Sequence, residues 1–463
     1  MQLIKIAFII FLLISSISAQ CFHHPNNIYA SLEIVECNWN SGLDVTDTSS
    51  HQEASEEMFQ VQLNCEIGDK VTCDKVLGEF KKAANLITST FIFNTPIKVN
   101  VSYYDFCTVY PANLCGDLSG AAYPSQFYAL QDDDGLTRLY PQSLVKQFKF
   151  PNAPKYNEFD INAEFNSVSN FWFEQDSIKI NPDQEDIYWT ICHELIHGLG
   201  FYNRWMGYQI NPIALIPTTA LINPDGSVPR NNLLNTNSSF VEFMMDKYTI
   251  LLSNGTQISL FTRQLNTFFN DHKSSVFNDV FIKSPQFKFA QELLVLATTP
   301  NSLGLLPRNS RNFLSDAFIL ETSMPTFEQG TSLIHVDFKT YINTNDFLMT
   351  YRSVDGNNAK QMVLNGGNYS GGPIGPRLKL MMETFGYATA ENPNPYKPLP
   401  FKPSPTPDVT SKSNETINHN ASSGYTIELT PKCIGVFIQV MVSKLRDAFG
   451  NLNLDNHPMM HNY

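Results

Sequence analysis

Apolar and polar residues alternate through MFQVQLNC, residues 58–65, which predicts a strand. Apolar positions then recur at Val76, Phe80, Ala83, Ala84 and Ile87, the spacing of a helix over 73–91. The alternation returns in IKVNVSYYDF, 97–106, as a second strand, and FDINAEFN followed by NFWF, within 159–173, predicts another strand and a turn. Strand, helix, strand is the opening of an α/β or α+β layer. A further apolar period through Ile187, Trp189, Ile191, Leu195, Ile196 and Leu199 predicts a buried helix beginning near Asn181-Pro182-Asp183, where Asn or Asp can cap and proline fits the first turn. Gly200 is placed to stop it, because a residue without Cβ takes the left-handed conformation at a helix end without strain.

Other stretches carry weaker patterns. Residues 20–55 show no clear period and read as an N-terminal arm or a short propeptide. The segment 204–330 is insertion-rich, with helical patterns at 240–252 and 291–297 between loops rich in Asn, Ser and Pro. NGGNYSGGPIGP, 365–376, lacks the Lys and helix-opening Ser or Thr of a phosphate loop and reads as an ordinary loop. After Tyr387 the composition turns Pro-rich and then polar, which places a linker at 391–424, a tail at 425–463 with the apolar run IGVFIQVMV, and the main domain at 56–390. At the other end, MQLIKIAFIIFLLISSISAQC has the basic, apolar and small-residue parts of a secretory signal peptide over 1–19. No later stretch reaches the roughly 18 apolar residues of a membrane span, so a secreted, extracellular protein is expected.

Charge and cysteine usage fit that compartment. With 31 basic against 44 acidic residues and no block of Lys and Arg, nucleic acid and anionic membrane are excluded as expected partners. Eight cysteines in an exported chain read as disulfides, with Cys65–Cys73, Cys107–Cys115 and Cys21–Cys37 close enough in sequence to pair locally. Cys192 is expected to be a small buried residue of its helix, and Cys433 falls in the tail. Sequons at Asn100, Asn237, Asn254, Asn368, Asn414 and Asn420 are glycosylation candidates.

The chemistry lies in ICHELIHGLGFYN, 191–203. Residues i and i+4 share a helix face, so His193 and His197 can offer two imidazoles to one ion, with Glu194 about 100° round at the edge of that face. Two neutral ligands and a carboxylate able to take a proton from water are what a hydrolytic zinc site requires, and the implied reaction is peptide hydrolysis. A chain of this length yields roughly 0.01 accidental matches to the triplet. A protein-held catalytic zinc usually takes a third protein ligand. His272 and His335 are the histidines between His197 and the linker, and a carboxylate such as Glu242 or Asp246 on the next predicted helix is a competitor.

HELIHGLGF followed far downstream by SLIHVDFKTYINTNDFLMTY resembles the leishmanolysin-type metzincins, in which an insertion separates the HExxH helix from a third zinc histidine and a methionine turn. The resemblance implies His335 as third ligand, Met349 as the turn methionine and Tyr351 as the tyrosine that some metzincins hold near zinc. PIGPRLKLMMETFGY, 373–387, is similar to the segment closing the catalytic domain of related secreted peptidases. The likeness covers short blocks within roughly 180–390. Asn203 departs from it, standing where the shorter signature HExxHxxGxxH has its third histidine. The fold implied is an α+β zincin, metzincin-like, with a mixed β-sheet, an active-site helix beneath it and a C-terminal subdomain closing the cleft. The activity implied is that of a secreted zinc endopeptidase with one catalytic Zn2+ and protein or peptide substrates. The rival expectation is a catalytically idle zincin-fold surface glycoprotein acting in adhesion or binding.

Overall fold

The computed structural model describes residues 19–25, 32–37, 58–111, 115–116, 118–176, 179–208, 212–217, 239–271, 280–354 and 356–400. The chain divides into two units, Met1–Ser404 and Pro405–Tyr463, and every described residue belongs to the first. The expected signal peptide up to residue 18, the tail, Asn237, Asn414, Asn420, His272, Cys433 and the side chain of Cys37 lie outside the described residues.

The architecture is mixed α+β with several sheets. Strands β1 (Ala19–His23) and β2 (Glu33–Cys37) pair antiparallel, so the segment read as an arm without period contributes two five-residue strands. Next come β3 (Phe59–Cys65), helix α1 (Lys70–Thr90), β4 (Ile97–Tyr104), β5 (Gly120–Pro124), β6 (Gln126–Gln131), β7 (Thr137–Pro141) and β8 (Ile161–Asn166). β3, β4 and β8 run parallel, and β5 closes the order β3-β4-β8-β5 antiparallel to β8. After the two-residue strands β9 (Phe171–Trp172) and β10 (Glu185–Asp186) comes α2 (Ile187–Gly198). α1 and α2 pack on the four-stranded sheet and on each other, with Phe80 of α1 edge-on to Phe165 of β8 at 5.3 Å between ring centroids.

α2 starts later than the proline suggested because Asp186 is its cap: the carboxylate accepts from the Tyr188 amide at 2.9 Å. It ends as expected, with Gly200 at φ +110°, where a Cβ would meet Pro141 Cγ at 2.8 Å. Gly198 has a different reason. A Cβ there would fall 2.4 Å from Ile161 Cγ2, so the bare backbone lets the end of α2 lie against β8.

A second sheet takes in β2, β1, β6, β7 and residues 242–243, with Leu399–Pro400 also pairing with β6. The packed chain thus continues to Pro400, past the boundary expected at 390. Helical spacing at 240–252 misled: 242–243 and 249–251 are strands around a 3-10 turn at 244–248, while Phe287–Ala297 is a helix. Residues 242–251 are all buried, and a segment buried on every side shows no face from which to read a period.

Cys65–Cys73 and Cys107–Cys115 are disulfides, and Cys21 is disulfide-bonded. Cys192 is a buried free thiol whose pKa is pushed up by burial. Of the sequons, Asn254 and Asn368 are exposed in loops, whereas Asn100 is half-buried in β4 between two parallel partners. No helix of the described residues is long and apolar enough to cross a membrane.

Candidate metal centre

α2 supplies two of the three imidazoles. His193 and His197 share a face, and their Nε2 atoms lie 3.1 Å apart. His335 reaches the same point from a segment 138 residues beyond His197, its Nε2 at 3.1 Å from His193 Nε2 and 3.2 Å from His197 Nε2. That segment is held in place by Val336, which bridges antiparallel to Leu320 and parallel to Thr350. All three imidazoles are buried.

The other ring nitrogens fix the protonation. His193 Nδ1 is 2.7 Å from the Leu348 carbonyl, His197 Nδ1 is 2.7 Å from the Phe201 carbonyl, and His335 Nδ1 is 2.9 Å from the Thr331 carbonyl. A carbonyl can only accept, so each Nδ1 carries the proton and each neutral ring presents a bare lone pair at Nε2. Burial, and then the two neighbouring imidazoles, hold His193 well below its ordinary value. Burial also lowers His197 to about 4 and, with His197 as neighbour, His335 to about 3. Three acceptors therefore converge with no proton among them, an arrangement that is repulsive until a cation sits between. These atoms form the one group among the described residues that could hold a metal ion.

Glu194 stands beside them. Its Oε2 accepts from the Ala122 amide of β5 at 2.7 Å, which pins the carboxyl between helix and sheet edge. Burial, with the Glu185 charge adding to it and the Ala122 bond opposing, pushes this carboxyl up to about 8. Trp189 covers His193, with ring centroids 4.9 Å apart and planes tilted by 30°.

Met349 is wholly buried, and its carbonyl accepts from the Val336 amide at 2.9 Å, one residue from the His193-orienting Leu348. Tyr351 packs on Phe338 with ring centroids 5.3 Å apart, and no hydrogen bond or ring contact among the described residues joins it to the histidines. Asn203 is no ligand, since its Nδ2 donates to the Leu333 carbonyl at 2.9 Å. The carboxylate competitors are engaged elsewhere: Glu242 accepts from Arg138 and Ser259, and Asp246 from the Trp205 indole and the Phe243 amide. A cavity of about 780 Å3 lined by Arg308, Asp316, Phe318, Arg377 and Tyr396 takes in none of the three histidines.

The groups missed in the sequence are backbone ones: the carbonyls of Phe201, Thr331 and Leu348 and the amide of Ala122. Any residue supplies such atoms, so no sequence signal marks them. Trp189 was legible, one helix turn before His193, but only as core.

Among known proteins, an uncharacterized protein of Schizosaccharomyces pombe is 26% identical over 378 residues, covering 75% of this chain and 65% of the relative. The chain therefore spans about two thirds of the length of that relative. No solved structure matches. The family model described as SPBPB7E8-like matches residues 21–422, and the chain belongs to that family.

Proposed function

We propose that this chain is a secreted zinc endopeptidase of the zincin type, on the plan implied by its resemblance to the leishmanolysin-type metzincins. The observation that carries the reading is the convergence of three unprotonated Nε2 atoms beside a pinned, buried carboxyl. Their separations of 3.1–3.2 Å are near the roughly 3.3 Å edge of a tetrahedron of imidazole nitrogens at ~2.0–2.1 Å from zinc. The three carbonyls orient the rings and keep their lone pairs pointed inward. Zinc, when bound, would supply a Lewis acid that polarises the scissile carbonyl and makes water a better nucleophile.

Glu194 has the role of general base. With Oε2 tied to Ala122, Oε1 is the oxygen left to take the water's proton as the new O–C bond forms. The same proton passes to the amine nitrogen as the C–N bond breaks, so the carboxylate is regenerated in each turnover. Trp189 and the burial of all three rings exclude solvent from one side of the site. An idle binding module has no use for a carboxyl held in this way, which favours the enzyme over the adhesion reading.

The test uses the full chain collected from culture medium, analysed for zinc and for casein and gelatin cleavage with and without chelator. One zinc per chain and chelator-sensitive cleavage are expected, and Glu194→Gln should keep its zinc while losing at least about 100-fold in rate. A protein that holds zinc without cleaving either substrate supports the binding module, and one that takes up no zinc ends the metal reading.

A further inference from the structure

Asn203 stands shortly after the end of α2, just where the chain departs into the long segment that returns at His335. Its side chain is buried, 5% exposed, and its amide donates to the carbonyl of Leu333, two residues before the third imidazole. Leu333 has φ +69°, a left-handed conformation that residues other than glycine take rarely and that the surroundings must hold. The same turn is fixed from its own side: the Leu333 amide donates to the Glu321 carbonyl at 3.1 Å, and the Glu321 amide to the His335 carbonyl at 2.8 Å. A second side-chain bond crosses nearby, from Gln329 Nε2 to the Trp205 carbonyl at 3.1 Å.

We infer that Asn203 is a positioning residue for the metal centre: its amide clasps the returning loop at Leu333 and so sets where His335 Nε2 meets the two nitrogens of α2. The inference rests on the zinc reading above. The physical need is plain. His193 and His197 are one helix turn apart and keep their geometry from the helix itself, whereas His335 arrives at the end of a long intervening segment whose ends cost entropy to bring together. The bridges at Val336 and the backbone bonds to Glu321 tie the turn to its neighbours in the returning segment, and the Asn203 amide adds the bond that ties it to the chain leaving α2. Asn203 and Gln329 grip that turn. The position that carries a ligand in the shorter metzincin signature here carries the support of one.

The experiment compares the full-length protein with Asn203→Asp, Asn203→Ala and Gln329→Ala. Each is titrated with zinc against a chelator of known affinity, its cobalt-substituted form is examined for the d–d absorption of a tetrahedral site, and its melting is followed with and without zinc. Asn203→Asp keeps the shape of the side chain but turns a donor into an acceptor facing a carbonyl, so it tests the bond rather than the space. The expected result is a zinc Kd raised by about 10- to 100-fold in both Asn203 variants, with a weakened cobalt band and a smaller rise for Gln329→Ala. An Asn203→Asp protein that binds zinc within about twofold of wild type and keeps the cobalt spectrum overturns the role, even if its metal-free melting temperature is lowered. A wild-type protein that takes up no zinc overturns the metal reading, and with it any role for Asn203 in positioning a ligand.

Discussion

The histidine site and the centre of the charged cluster around Arg138 are both buried, yet only the second pairs charges of opposite sign. The Arg138 guanidinium is wholly buried and donates to Glu242 Oε2 at 2.7 Å, Asp132 Oδ2 at 2.9 Å and Asp134 Oδ2 at 2.8 Å. Lys247 reaches Asp132 and Asp133, Arg308 reaches Asp133, and Arg263 approaches Asp134. The carboxylates Asp132, Asp133, Asp134 and Glu242 are thus matched by Arg138, Lys247, Arg263 and Arg308, with Tyr140 and Tyr396 donating to Asp132 Oδ1 at 2.7 and 3.0 Å. Opposite charges pair directly across the cluster, with Glu242 Oε1 left, among the described residues, as its one buried oxygen without a hydrogen bond. It fastens the β6–β7 hairpin to residues 242–248, to the helix at 259–266 and to the chain near Tyr396. The histidines present acceptors only, which is why one cluster reads as a fastening and the other as a binding site.

The comparison breaks most severely at Arg138. Arg138→Ala leaves buried carboxylates without their cation and should cost about 3–5 kcal/mol, read as a collapse of the denaturant midpoint, while a triple replacement of Arg138, Asp132 and Glu242 by apolar residues should recover much of it. Next in size is the metal. If zinc binds the histidines, free zinc at about 100 times its Kd adds about 2.7 kcal/mol, so chelation should lower the melting temperature of the wild type and leave that of His335→Ala unmoved. Equal chelator sensitivity in both would place the ion elsewhere.

A smaller effect is expected at the helix that carries the site. Asp186→Ala removes the cap bond to Tyr188 and the bond to the Ala359 amide at 2.7 Å, for a loss of about 1 kcal/mol in thermal or denaturant unfolding. The smallest appears only in acid. Burial alone would raise the Asp133 carboxyl, but the bonds from Lys247 and Arg308 outweigh it and hold it down to about 2, against an ordinary 3.8. A carboxyl lowered on folding contributes stability that is fully present above pH 3.8 and is lost as the pH falls through about 2, so Asp133→Asn should flatten the acid limb of the stability profile in that window and nowhere else.

The contrast between the regions also separates what could be read along the chain from what could not. β3 and β4 alternate between more and less buried positions, and that period appears in the sequence at nearly the observed bounds, whereas β8 and α2 are buried nearly all round and were marked by their turn and cap residues as much as by period. The β6–β7 hairpin carries a local signal too, since Asp-Asp-Asp-Gly between the two strands is a turn sequence, with Gly135 at φ +79°. Residues 242–251, buried all round, gave a helix where strands and a 3-10 turn stand, and so put Glu242 and Asp246 on a helix face when they lie in separate hydrogen-bonded settings.

By itself the sequence determined that two imidazoles and a carboxyl sit on one helix, because i and i+4 are joined by a local repeat that no distant contact has to enforce. Tertiary structure alone decided that His335 meets them, that Ala122 pins Glu194, that three carbonyls leave three lone pairs bare, and that Asn203 grips the returning loop. Those outcomes depend on backbone atoms and on pairs of segments far apart in the chain, 72 residues between Ala122 and Glu194, where spacing along the sequence carries no geometric information.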